Sequence, residues 1–133
     1  MRAFVMIFVF GITAGSVSAQ SSRIAADGGD IIVTPIVHAS VQVEHAGIVI
    51  QVDPWSAGDL SKAKAADLIL VTDDPAHHLD PVAIEQLRKP GAAVVLTATA
   101  HAKFDSGTVL ANGQRSEFAG IPVEAVGAYD MTP

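Results

Sequence analysis

The nine residues Thr72-Asp73-Asp74-Pro75-Ala76-His77-His78-Leu79-Asp80 contain five Asp or His side chains. Carboxylates and imidazoles are the groups that bind zinc, iron or manganese when no thiolate is at hand, and the chain has no cysteine. Asp73, His77 and His78 would supply one carboxylate and two imidazoles, the open ligand set of catalytic zinc and non-haem iron. One divalent metal held this way, with zinc the first choice and iron or manganese next, would activate a water for nucleophilic attack. In that reading Asp73 and His77 take part in catalysis and Asp74 borders the pocket. A plainer reading stands beside it. Asp73, Asp74 and Pro75 are ordinary turn formers, Asp80 suits a helix N-cap, and a histidine pair near a helix start serves equally as polar surface. Adjacent side chains such as His77 and His78 also point differently on most backbones, so one of them can face away from a shared site.

Further candidates lie upstream. His38 and Asp53 each stand at the end of a β-patterned run, and Trp55 follows Asp53-Pro54, where it would line a pocket or pack in the core. His45 precedes a glycine turn and is expected to face solvent, and His101 lies in a small-residue stretch that reads as surface. No glycine-rich phosphate loop, nucleophilic-serine elbow or basic aromatic patch is present.

The elements that must position these residues follow from periodicity. Ile31-Ile32-Val33 and Ile36-Val37 are β-branched and interrupted by Thr34-Pro35, as in an edge or bulged strand. Val41 to Glu44 alternates with period two, and Ala46-Gly47 turns the chain into Ile48 to Val52, its hairpin partner. Trp55 to Ala66 reads as a loop with one helical turn. Leu68 to Val71 is an uninterrupted apolar run, which fits a strand buried on both faces. Asp80 and Pro81 open a helix whose Ala83, Ile84 and Leu87 share one face, and Lys89-Pro90-Gly91 ends it. Val94 to Leu96 is the next strand, Ala98 to Phe104 a short helix, and Thr108 to Leu110, Arg115 to Phe118 and Ile121 to Val126 three short strands. Asn112-Gly113 is the turn signal between the first two of these. The order predicts a layered α/β domain with helices laid on a sheet.

The ends and the composition set the context. Arg2, the apolar run Ala3 to Ile12 and Val17-Ser18-Ala19 have the form of a secretory signal peptide cleaved between Ala19 and Gln20. The run is shorter than the roughly 20 apolar residues that cross a bilayer. The reading is therefore a signal peptide over 1–19, a flexible lead-in over 20–29 and one domain over 30–133, secreted or periplasmic and free of the membrane after cleavage. Fourteen acidic against eight basic side chains, a net charge of −6, argue against nucleic acid as a partner. Without disulfides an exported domain depends on its core, a metal or oligomerisation.

The central motif resembles that of the metallo-β-lactamase superfamily, in which a strand ending in Thr is followed by His-x-His-x-Asp-His, then Leu-Asp-Pro and a helix. The frame matches over Ala66 to Thr72 and over His78-Leu79-Asp80-Pro81. Val37-His38-Ala39-Ser40, Val52-Asp53-Pro54-Trp55, Leu87 to Gly91, Leu110 to Gly113 and Ile121 to Val126 are similar to the branch of metal-dependent hydrolases that includes ascorbate-phosphate lactonases. The resemblance spans Asp30 to Pro133 and implies the first half of an αββα sandwich. It also implies a small-molecule substrate and a site of two metals with a bridging hydroxide, near which His38 lies. The chain departs from that motif. Asp73 stands in place of the first histidine, Pro75 in place of the second, and His77 in place of the aspartate, so only His78 is unchanged. The later ligands of the family come from a second half. The expectation is therefore a hydrolase with a modified or degenerate metal site, an inactive binding module, or a truncated half-domain that pairs with another chain, as in a homo-oligomer, through an exposed sheet edge.

Overall fold

A computed structural model describes residues 20–128. The expected signal peptide over 1–19 and the final residues 129–133 lie outside the described residues. Strands β1 (Ser22–Ile24), β2 (Ile31–Val37), β3 (Ser40–His45) and β4 (Ile48–Val52) form an antiparallel meander. Strands β5 (Ala66–Val71), β6 (Arg88–Leu96) and β7 (Thr108–Val109) extend the same sheet in parallel, in the order β1 to β7. Helix α1 (Pro81–Leu87) joins β5 to β6 and α2 (Ala98–His101) joins β6 to β7, while β8 (Arg115–Phe118) and β9 (Ile121–Glu124) form a separate hairpin. This is the layered α/β architecture expected.

The core sits where the helices cover the sheet. Ile69 and Val71 of β5 and Val94 and Leu96 of β6 are joined by Leu79, by Ile84 of α1 and by Ala100 of α2, with Phe104 packed against them. Asp80 caps α1 as its sequence suggested. Its Oδ1 accepts from the Val82 and Ala83 backbone N–H groups at 2.9 and 3.3 Å, which satisfies two of the donors a helix start leaves open. The loop between β4 and β5 contains turns and no helix. Gln51 tethers it by donating to Gln42 Oε1 (2.8 Å) and to the Lys64 carbonyl (3.0 Å), and Lys64 N–H donates back to Gln42 Oε1 at 2.7 Å.

Three expectations are corrected. The lead-in is not wholly flexible, because Ser22–Ile24 pairs with β2 in register Ser22↔Val33 to Ile24↔Ile31. Lys89-Pro90-Gly91 does not separate helix from strand. Arg88 is already extended (φ −73°, ψ 122°), and the Pro-Gly pair is absorbed as an irregularity of β6, between the pairs Ala66↔Arg88 and Leu68↔Ala93. Glycine permits the φ of +80° that Gly91 adopts there. Asn112-Gly113 does not close a hairpin, since β7 lies in the large sheet and β8 pairs with β9 through Ala119-Gly120. The thin strand β7 depends on Gly107, where an added Cβ would lie 2.6 Å from Leu96 Cδ2 and 2.7 Å from the Val94 carbonyl.

Candidate functional site

Because β2 and β4 both run antiparallel to β3, and β4, β5 and β6 are parallel, the C-terminal ends of β2, β4, β5 and β6 share one edge of the sheet. That edge carries His38, Asp53 to Trp55, Thr72 to His78 and Thr97. Sites in α/β sheets gather at such ends because the loops there are free to vary over a rigid scaffold.

Two non-glycine residues at this edge hold left-handed backbone, His38 at φ +55° and Asp53 at φ +44°. Such conformations cost of order 1 kcal/mol each, and side chains that must be aimed are where they persist. Asp53 is only 2% exposed. Its Oδ1 accepts from the Thr72 N–H at 2.7 Å, and its Oδ2 accepts from Thr72 Oγ1 at 2.6 Å and from His78 Nδ1 at 2.8 Å. A carboxylate can meet that ring nitrogen only as an acceptor, so the contact places a proton on Nδ1 and leaves Nε2 to be met from elsewhere. Thr72 Oγ1 lies 3.2 Å from the same nitrogen.

His78 and Asp73 line a cavity of about 600 Å³ together with Thr72 and Thr97. Its apolar walls come from the ends of β5 and β6 (Leu70, Val95, Leu96) and from Val123 and Val126 across from them. A few polar groups converging in a mostly apolar cleft is the usual form of a small-molecule site.

His77 does not line that cavity. Its ring stacks on His38 (centroids 4.9 Å apart, 24° between planes) and stands edge-on to Trp55 at 6.3 Å, while His38 meets Trp55 at 5.8 Å. His77 and His78 are 4.5 Å apart and tilted by 50°, facing different surroundings as adjacent residues do. The structure does not bring Asp73, His77 and His78 together: among the described residues no three His, Asp or Glu side chains are arranged to hold a metal ion. The physical reason is local. His78 Nδ1 is committed to Asp53, Asp73 Oδ1 accepts from the Asp74 N–H at 2.8 Å, and the His77 ring is engaged with His38.

Asp74 also takes a different role from a pocket wall. It forms a 2.6 Å ion pair with Lys103, and the hydrogen bond from that lysine holds its carboxyl below the usual range. His45 is half-buried, not solvent-facing, and its Nδ1 is shielded without a partner. Sequence reading passed over Thr72 and Thr97 as site residues, although each is the polar residue that closes an apolar parallel strand.

The fold and the site edge define a metallo-β-lactamase-type α/β domain with an Asp-buttressed histidine beside a cavity. The chain belongs to the β-lactamase superfamily, whose domain model matches residues 32–132. It is similar to the crystal structure of a proposed metal-dependent hydrolase from Parabacteroides distasonis, with 32% identity and a TM-score of 0.79 over 86% of this chain and 54% of that one. The chain thus spans about half the length of that relative. No curated protein matches it. Of the residues in the motif, Pro75 has no side-chain lone pair to give a metal, whereas Asp73, His77 and His78 are of ligand type.

Proposed function

We propose that this chain is an exported hydrolase-family domain with a degenerate metal site, which binds a small molecule in the cavity beside His78 and does not carry out two-metal hydrolysis. The observation that carries this reading is the fate of the motif. His78 keeps its place and its Asp53 partner, while the positions before it have lost the donor set of a metal cage. What remains is a hydrogen-bonding site, in which His78 Nε2 accepts from a ligand hydroxyl or amide and Thr72 and Thr97 add short polar contacts in an apolar cleft. Export rests on the N-terminal charge, apolar run and small residues, and an N-terminus beginning at Gln20 in the secreted chain is the expected product.

A second reading is favoured by one observation, that Asp73 and His78 both line the cavity. With a shift of the His77 ring, this trio would hold one zinc, iron or manganese ion and activate water. Elemental analysis separates the two. The purified chain, incubated with each ion and desalted, is expected to hold well under one equivalent, with a His77→Ala/His78→Ala double variant indistinguishable from it. About one equivalent that is lost in the double variant would overturn the degenerate-site reading and restore a single-metal hydrolase.

A further inference from the structure

The hydrogen bonds already made around Thr72, Asp73 and His78 fix what this polar corner of the cavity can still offer a ligand. The Asp53 carboxylate only accepts, so the Thr72 hydroxyl donates its single proton to Oδ2 at 2.6 Å and keeps only lone pairs for a further partner. Asp73 Oδ1 accepts from the Asp74 N–H at 2.8 Å, and its Oδ2 has no protein partner among the described residues. Two neighbouring groups on the cavity wall therefore face a ligand as acceptors.

The charges point the same way. Among the described residues that line the cavity there is no Lys or Arg. Lys103, which reaches the same loop, is held by Asp74 at 2.6 Å, and Arg115 pairs with Glu124 at 2.8 Å. The Asp53–His78 pair is neutral when the imidazole is charged and negative when it is not, so in neither state does it bring a net positive charge. Asp73 forms no ion pair among the described residues and is exposed to an incoming ligand.

We propose that the ligand of this cavity is a primary ammonium on an apolar body, an inference that rests on the reading of the cavity as a small-molecule site. The ammonium sits between Asp73 Oδ2 and Thr72 Oγ1, and the apolar body lies along Leu70, Val95, Val123 and Val126. An ammonium donates three protons and accepts none, which matches a corner of acceptors, whereas an alcohol has one proton to give. A carboxylate or phosphate would meet Asp73 with no Lys or Arg to answer it, and such repulsion discriminates as strongly as attraction does. Because Asp73 is exposed, its ion pair is worth at most about fivefold in affinity, and salt screens it.

Cyclohexylmethylamine, cyclohexylmethanol and cyclohexanecarboxylate share one skeleton and differ only in the polar group. Titration of each into the nitrogen-15-labelled chain, followed by amide NMR shifts, reads both affinity and place. The amine is expected to shift Leu70, Thr72 and Asp73 and to bind about fivefold more tightly than the alcohol, with the carboxylate weakest. In Asp73→Asn the amine is expected to fall to within about twofold of the alcohol, whose own affinity stays as it was. High salt on the wild-type chain is expected to do the same, and serves as the second measurement if the variant does not fold. An alcohol or carboxylate that binds as tightly as the amine overturns the ammonium class and leaves the cavity a small-molecule site. An amine preference that survives both Asp73→Asn and high salt also overturns the proposal. Shifts at the cavity from none of the three overturn the small-molecule reading itself, and this proposal with it.

Discussion

Asp53→Ala and Asp53→Asn test whether the buried carboxylate organises the site edge. Asp53 accepts three hydrogen bonds, two from Thr72 and one from His78 Nδ1. Bonds to a charged group contribute about 1.5–3 kcal/mol each, but burying the carboxylate offsets much of their sum. Removing one partner of such a buried pair costs about 3–5 kcal/mol, and alanine at φ +44° adds about 1 kcal/mol of backbone strain. Asparagine tolerates that backbone and keeps one acceptor oxygen, so its loss is about 1–2 kcal/mol. At roughly 4 °C per kcal/mol for a domain of this size, Tm falls by about 16–24 °C in Asp53→Ala and by about 4–8 °C in Asp53→Asn. Thermal and urea unfolding measure the stability. Nitrogen-15 NMR of the imidazoles measures the tautomer, with His78 protonated at Nδ1 in the wild type and mixed in Asp53→Asn. If Asp53→Ala costs less than 1 kcal/mol and the His78 tautomer is unchanged, Asp53 does not position His78 and the argument from geometry fails.

Two other outcomes follow from the fold. Gly107→Ala, whose Cβ would sit 2.6 Å from Leu96 Cδ2 with φ at +129°, is expected to lower stability by about 2–4 kcal/mol by displacing β7; urea titration checks it, and a change within 0.5 kcal/mol contradicts the close approach. The carboxyl of Asp67 is held below its ordinary value of 3.8 chiefly by the hydrogen bond from Lys89, and next by the Val49 N–H. A depressed folded-state value means stability that is fully present above the unfolded value and lost as pH falls through the lower folded one. Tm should therefore drop below about pH 4, and Asp67→Asn should flatten that slope while lowering Tm at neutral pH; an unchanged acid slope would show that other groups dominate.

Local pattern determined much of this protein. The alternation of β3, the Ala46-Gly47 turn into β4, the apolar run of β5 and the Asp80-Pro81 start of α1 are set by neighbours in sequence, and each lies where its residues put it. The frame around Thr72 and His78-Leu79-Asp80-Pro81 likewise marked the family and the loop that carries the site. Tertiary structure decided what is non-local. Asp53 and His78 are 25 residues apart, and only the parallel pairing of β4 with β5 brings them into contact. Neighbouring His77 and His78 were separated by the turn they sit on, one into an aromatic cluster with His38 and Trp55, the other onto the cavity wall. The Pro90-Gly91 signal read as an end because a breaker usually is one. Pairing with β5 on either side of it stabilises β6 enough to carry the breaker as an irregularity. Period and capping are properties of a few adjacent residues, whereas a site is made by strands meeting across the chain, and register alone sets which side chains meet.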